Sequence, residues 1–246
     1  MADWIKANKL SLNLQKTNYM LFSNSITQLP NQVIFSETVI KEVKSTKFLG
    51  ITIDNKLSWK YHIDNVCKTV SRNIGIINRV KQFLPLSVLL TLYSTFILPY
   101  LNYGILAWGN SAEIRIGRLL LLQKRVMRII CNTSYRSHTD VLFRNNRILK
   151  INDLYLFHLG QFMYNLNGNN IPASLKGMFK KNNTVHNYST RQANDFHIPK
   201  ARTNFVSRNF MFTGPKLWNS LDQLLKEACS LNSFKYRLKM LYTEKY

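Results

Sequence analysis

Two-metal phosphoryl transfer needs clustered carboxylates that hold cations about 4 Å apart. The twelve acids of this 246-residue chain are Asp3, Glu37, Glu42, Asp54, Asp64, Glu113, Asp140, Asp153, Asp195, Asp222, Glu227 and Glu244. No two are adjacent and none forms a DxD or ExxE pair, so nothing local in the sequence marks a metal-binding cluster. There is also no GxxxxGK[ST] phosphate loop and no GxSxG nucleophile elbow, which removes the usual NTPase and hydrolase readings. Cys67, Cys131 and Cys229 lie far apart with no CxxC pair, and the five histidines, at 62, 138, 158, 186 and 197, show no HxxxH spacing. No metal site or disulfide framework is expected, and three isolated thiols fit a reducing intracellular compartment, nuclear or cytoplasmic.

The basic residues are patterned where the acids are not. Over residues 62–84 the apolar Ile63, Val66, Cys67, Val70, Ile74 and Ile77 repeat at helical spacing. Lys68, Arg72 and Arg79 fall within about 40° of one another on the opposite side. Gly75 lies inside this stripe, where a missing side chain would let a phosphate backbone approach. Over residues 114–131, Arg118, Lys124, Arg125 and Arg128 gather on one side, and Ile116, Leu119, Leu120, Val126, Met127 and Ile130 on the other. Two readings fit both helices: sequence-independent contact with nucleic-acid phosphates, or an ordinary solvated face. No acid follows Asp64 in the first helix, and Glu113 only opens the second, where it suits the helix dipole. Tyr188 and Arg191, in a polar stretch, are of the types that stack on bases.

The whole chain agrees with this pattern. It has 34 Lys and Arg against 12 Asp and Glu, a net charge of +22. Residues 1–60 carry eight bases and four acids, residues 61–135 nine and two, and residues 136–246 seventeen and six, so no segment balances the excess. A hydrophobic content of 46% and an aromatic content of 12% exclude a wholly disordered basic tail. A polyanion is the implied partner, nucleic acid before an anionic membrane. Residues 82–112 carry no charge, and 86–108 are long and apolar enough to raise a membrane span. However, Ser87, Thr91, Ser94 and Thr95 make a polar stripe, and Pro99, Asn102 and Gly104 interrupt the second half. A buried helical region is therefore expected and no membrane partner. The N-terminus lacks an apolar signal core.

The elements that must position these residues follow from periodicity and breakers. A short helix is expected over 3–10, strands over 18–23 and 48–53, and a hairpin from 32–35 and 38–43, with Gly50 weakening or bending its strand. Helices are expected over 62–84, 87–108 with a break near Pro99, 114–131, 153–166, 217–225 and 233–242. Residues 182–194 read as loop and 197–212 as a loose hairpin. Trp4, Trp59, Trp108 and Trp218 each read as core. The fold class is α+β, with a small antiparallel sheet first and helices afterwards.

Several segments in order resemble the reverse transcriptases of non-LTR, LINE-type, Jockey-like retrotransposons. They are Trp4-Ile5-Lys6-Ala7-Asn8-Lys9-Leu10-Ser11-Leu12-Asn13 with Lys16-Thr17, then Phe48-Leu49-Gly50-Ile51-Thr52-Ile53-Asp54 with Leu57-Ser58-Trp59 and His62-Ile63. Leu98-Pro99-Tyr100-Leu101-Asn102-Tyr103-Gly104, Trp108-Gly109 and Leu122-Gln123-Lys124-Arg125 with Arg128 follow. Tyr188-Ser189-Thr190-Arg191 and Gly214-Pro215-Lys216-Leu217-Trp218-Asn219 complete the series. Any one of these is a weak signal; their order and spacing along nearly the whole chain carry the resemblance.

The resemblance implies three parts: a distal palm over 1–55, thumb-like helices over 56–110, and a mostly helical basic C-terminal region over 111–246. It places Lys16 near the incoming triphosphate and Phe48, Leu49 and Gly50 at the primer grip. It makes Lys68, Arg72, Gly75 and Arg79 thumb contacts to a primer–template duplex of RNA and DNA. In the family the metal-binding aspartates precede the segment with which this chain begins. The chain is therefore expected to be a C-terminal fragment of an RNA-directed DNA polymerase. Its partners would include the upstream fingers and palm, Mg2+ would be required by the intact enzyme, and no cofactor would be bound here. Asp3 lies after the missing motif and does not replace it. The alternatives are a stand-alone nucleic-acid-binding protein derived from such an element, or a non-functional remnant.

Overall fold

The computed structural model describes residues 2–13, 15–22, 33–35, 38–186 and 190–246. These divide into two compact units, Met1–Asn65 and Val66–Tyr246. The class is α+β. The first unit opens with helix α1 (Ala2–Ala7), which stops where Lys9 turns to a φ of 52°. Strands β1 (Asn18–Tyr19), β2 (Val33–Phe35) and β3 (Thr38–Glu42) make a sheet in the order β1-β3-β2. Strand β2 pairs antiparallel with β3, as the hairpin pattern predicts, whereas β1 joins β3 in parallel through Asn18 and Tyr19. The sheet is thus mixed, and the strand expected over 18–23 reaches only Tyr19. Trp4, expected in the core, is 64% exposed.

The expected single strand over 48–53 is instead a second hairpin. Strands β4 (Ser45–Phe48) and β5 (Ile51–Asp54) pair antiparallel, with Phe48 opposite Ile51. Leu49 and Gly50 form its two-residue loop, with φ of 45° and 83°. Positive φ at both loop residues matches the twist of paired strands, so the glycine marks a reversal rather than a bend within one strand. Helix α2 (Lys60–Val80) begins in this unit and continues into the next.

The second unit is helical. Its buried α2 positions are Val66, Cys67, Val70, Ile74 and Ile77, the set named by periodicity. The uncharged stretch folds as α3 (Leu86–Phe96), α4 (Leu98–Asn102) and α5 (Ile105–Trp108), broken at Ile97, two residues before Pro99. Its Ser and Thr side chains donate back to carbonyls one turn earlier, as Thr91 does to Ser87 and Thr95 to Thr91. Among the described residues no helix is long and apolar enough to cross a membrane. Helices α6 (Glu113–Ile130), α7 (Asp140–Asn145) and α8 (Ile151–Asn167) follow. Beyond them lie α9 (Ala173–Lys176), α10 (Asn182–Val185), α11 (Asn204–Ser207), α12 (Phe210–Ser220), α13 (Gln223–Lys226) and α14 (Leu231–Thr243).

Helix α8 is central, with α4, α5, α6, α12 and α14 packed around it. Gly109 has no room for a Cβ, which would meet the Ile105 carbonyl oxygen at 2.6 Å and Tyr155 at 2.9 Å. Residues 197–212 do not form the expected hairpin. Thr203 accepts from the Val206 amide at 3.3 Å and Asn209 from the Met211 amide at 2.9 Å, so each caps a new helix. Capping side chains outweigh a weak alternation, because they satisfy amides that a helix start leaves unpaired.

Gln123 lies at the centre of this packing, 1% exposed. Its amide nitrogen donates to the Tyr93 hydroxyl and the Leu149 carbonyl, both at 2.8 Å. Its carbonyl oxygen accepts from the Ile151 amide at 2.8 Å. Burial pushes the Tyr93 phenol up to about 12, against the opposing hydrogen bond from Gln123. Gln123→Leu strands three buried polar groups and is expected to cost about 3 kcal/mol, read as a lower urea midpoint with an unchanged slope. A pH effect is also expected. Burial, and then Lys235, lower the pKa of His158, whose Nε2 lies 3.1 Å from Asn102 Oδ1. The native state therefore binds fewer protons than the unfolded chain. Stability is full above about pH 6.5 and is lost as pH falls through the lowered native value. Melting curves in acid and at neutral pH should show this fall, and His158→Gln should reduce it.

Candidate nucleic-acid interface

In the first unit, the candidates lie on separate elements. Lys16 is exposed in the turn before β1, where its backbone amide donates to Asn13 Oδ1 at 3.2 Å. Phe48 and Leu49 stand at the tip of the β4–β5 hairpin, 61% and 74% exposed. Leu49 is an unusual choice there. A branched side chain at positive φ costs energy, and its exposure recovers little of that cost. An exposed, strained leucine is the kind of outlier from which a binding role is inferred.

This hairpin is tied to α2 by one side chain. Asp54 is 5% exposed. Its Oδ1 accepts from the amides of Lys56 at 3.2 Å and Ser58 at 3.0 Å. Its Oδ2 accepts from the Ser58 hydroxyl at 3.2 Å and the Trp59 amide at 2.9 Å. Leu57 and Trp59 take positive φ, 48° and 61°, so that the chain can turn around the carboxylate into the helix. His62, in the first turn of α2, accepts from the Thr52 amide through Nδ1 at 3.4 Å, and burial lowers its pKa.

In the second unit, Lys68, Arg72 and Arg79 are exposed on α2, opposite its buried row. Gly75 between them is exposed too, and an added Cβ would meet nothing within 4 Å. The fold therefore does not require glycine here. On α6, Ile116, Leu119, Val126, Met127 and Ile130 are buried, while Leu120 is only half-buried. Arg118 and Arg125 are exposed, and Arg128 and Lys124 half-buried. The four bases do not act as one group. Lys124 lies near Asp140 and, with Lys150, helps to hold that carboxyl below the usual range. Asp140 is bonded to Lys150 Nζ at 2.9 Å.

Arg125 and Arg128 instead open onto a cleft of about 230 Å³ with Asn78, Lys81, Thr133 and Tyr135. No pattern in the sequence marks these last four. Lys81 lies off the helical stripe and beyond the end of α2, and Tyr135 lies in the turn after α6, so periodicity gave neither a place. Arg191 is exposed; Tyr188 and Ser189 lie outside the described residues.

Over 168 residues, 67% of this chain, the sequence is 23% identical to the RNA-directed DNA polymerase from mobile element jockey of Drosophila melanogaster. The probable RNA-directed DNA polymerase from transposon X-element of the same fly matches at 23% over 157 residues, 62% of the chain. The jockey polymerase of Drosophila funebris matches at 23% over 154 residues, 61% of the chain. The chain is related to the reverse transcriptases of non-LTR retrotransposons. The matched regions span 18%, 17% and 17% of those relatives. No protein-family model and no solved structure matches the chain.

Several segments that resemble these reverse transcriptases turn out to be scaffold. Gln123 is the buried hub described above. Trp108 donates its indole N–H to the Tyr103 carbonyl at 2.9 Å. Gly214 faces Met163, whose sulfur would lie 2.8 Å from an added Cβ. Asn219 brackets Phe196, accepting from its amide at 3.1 Å and donating to its carbonyl at 2.9 Å. Trp218 packs on Tyr164, Phe196 and Phe234. In this retrotransposon-related chain these motif residues hold helices together, while Lys16, Arg125 and Arg191 of the same segments are exposed. Asp54→Ala leaves three backbone amides without their acceptor and is expected to cost about 3 kcal/mol. Faster amide exchange at Ser58 and Trp59 measures the loss; unchanged protection would mean that the carboxylate is dispensable.

Proposed function

We propose that the chain is the primer–template-holding part of an RNA-directed DNA polymerase of a mobile element. In this reading residues 1–55 are distal palm, 56–110 are thumb-like, and 111–246 are a basic helical extension. Phe48, Leu49 and Gly50 act as the primer grip, with the exposed apolar tip against the primer end. Lys16 lies near the incoming triphosphate, where a cation stabilises developing negative charge. The observation that carries the reading is the surface of α2: Lys68, Arg72 and Arg79 form one exposed stripe behind a fully buried apolar row. Such a stripe makes phosphate contacts that position a duplex without reading its sequence. The kinship with RNA-directed DNA polymerases selects nucleic acid from among polyanions.

Polymerases of this kind use Mg2+, and the residues here do not fit it. Among the described residues no group of three His, Cys, Asp or Glu could hold a metal ion. The acids with defined partners are already used. Asp54 holds the start of α2, Asp153 accepts from the Tyr246 hydroxyl, and Asp140 pairs with Lys150. No step of phosphoryl transfer is therefore assigned to this chain. The purified chain is expected to add no dNTP to a primed RNA in Mg2+; metal-dependent incorporation would overturn that assignment. The same observation favours a second reading, a nucleic-acid-binding protein that acts without catalysis.

Both readings require phosphate contacts. K68A/R72A/R79A is expected to reduce the slope of log affinity against log salt by up to about 3, since each lost contact removes roughly 0.9. All three side chains are exposed, so the melting temperature should hold. A slope equal to that of the unsubstituted chain would remove α2 from the interface.

A further inference from the structure

The cleft between the ends of α2 and α6 is more specific than a charged face. Lys81, Arg125 and Arg128 supply three cations, Asn78 an amide and Thr133 a hydroxyl, and no carboxylate lines it. Two observations show preparation for a ligand. First, Arg128 is already oriented: its Nε donates to the Ser137 carbonyl at 3.0 Å, and its guanidinium carbon stands 5.9 Å from the centre of the Tyr135 ring. A guanidinium held in this way binds a phosphate with less loss of side-chain freedom. Second, the Thr133 hydroxyl oxygen is buried without a hydrogen-bond partner, although its backbone amide is bonded to the Arg128 carbonyl at 3.0 Å. A buried, unpaired hydroxyl is costly, and an anionic oxygen in the cleft would accept from it.

Tyr135 adds what a simple anion site lacks. It is 85% exposed, among the most exposed large side chains of the molecule. Arg128 lies over its ring, and the rest of the ring is open to solvent. A planar base stacks on such a surface, and a cation over the ring strengthens the platform.

Resting on the nucleic-acid reading above, we propose that this cleft is a subsite for a single-stranded segment. One phosphate lies against Lys81, Arg125 and Arg128, and the adjoining unpaired base lies on Tyr135. A base inside a duplex is stacked on both faces and has none to offer. The site therefore distinguishes an unpaired strand from the duplex assigned to α2.

The test uses the full 246-residue chain at constant ionic strength. Its probes are a labelled oligo-dT, an oligo-U, an abasic strand of equal length and a blunt duplex. Tyr135→Ala is expected to weaken binding of both base-bearing single strands about tenfold. It should leave the abasic strand and the duplex unaffected, and Tyr135→Phe should keep full affinity. Arg125→Ala is expected to weaken all three single strands, abasic included. Equal losses on duplex and single strand, or none on any probe, would overturn the subsite while leaving the wider reading intact. An unsubstituted chain that binds none of the four probes would overturn both. Tyr135 is almost wholly exposed, so its substitution leaves the fold in place, and a constant melting temperature checks this.

Discussion

One buried amide group joins the pieces of the larger unit. Gln123 projects from the core side of α6, and its two donors and one acceptor are all used: by Tyr93 on α3, by Leu149 before α8, and by Ile151 at the first residue of α8. No apolar side chain could stand in for it, since each partner is itself buried or leads into a buried turn. A fully satisfied polar group inside a core specifies one arrangement of its neighbours, because slippage would strand all of them at once. The register of α6 against α8 follows from it. So does the direction in which Arg125 and Arg128 leave the helix, two and five residues further on. Lys150 and Tyr246 reinforce the same junction, with the Lys150 amide donating to the Tyr246 hydroxyl at 3.0 Å.

The charge has to be carried around this core. A chain with a net charge of +22 repels itself, and compactness survives only if the cations stay in water and apart. The structure meets this by placing acids where they do structural work. Asp54 caps a turn, Asp140 takes Lys150 and the influence of Lys124, and Asp153 takes Tyr246. The exposed bases on α2, and those in the cleft beside it, keep their charge unbalanced by the described structural acids. The polyanion proposed above would supply the balance, releasing counterions as it did so.

Legibility in the sequence varied with the range of the interaction. The buried row of α2 was readable residue by residue, because a 21-residue amphipathic helix states its own inward face. The hairpin of β2 and β3 was equally local. The segment 48–53 has the pattern of one strand, since alternation cannot tell a strand from two short strands when the reversal takes only Leu49 and Gly50. Residues 197–212 misled for the converse reason: the caps at Thr203 and Asn209 matter only once a helix is there to be capped. Trp4 is of a type expected in the core, yet type alone does not supply neighbours.

The sequence by itself determined the α+β order of elements, the basic face of α2, the lack of a local carboxylate cluster and the kinship with retrotransposon polymerases. These depend on residue type and short-range spacing, which the chain carries at every position. Only the tertiary structure separated Lys124 from Arg125 and Arg128. It also made scaffold of Gln123, Gly214, Trp218 and Asn219, and brought Lys81 and Tyr135 into one cleft. Lys81 and Tyr135 are more than fifty positions apart in the sequence, and no periodicity links them. Their meeting depends on how α2 and α6 pack, and packing is decided by buried side chains rather than by the exposed ones that use it.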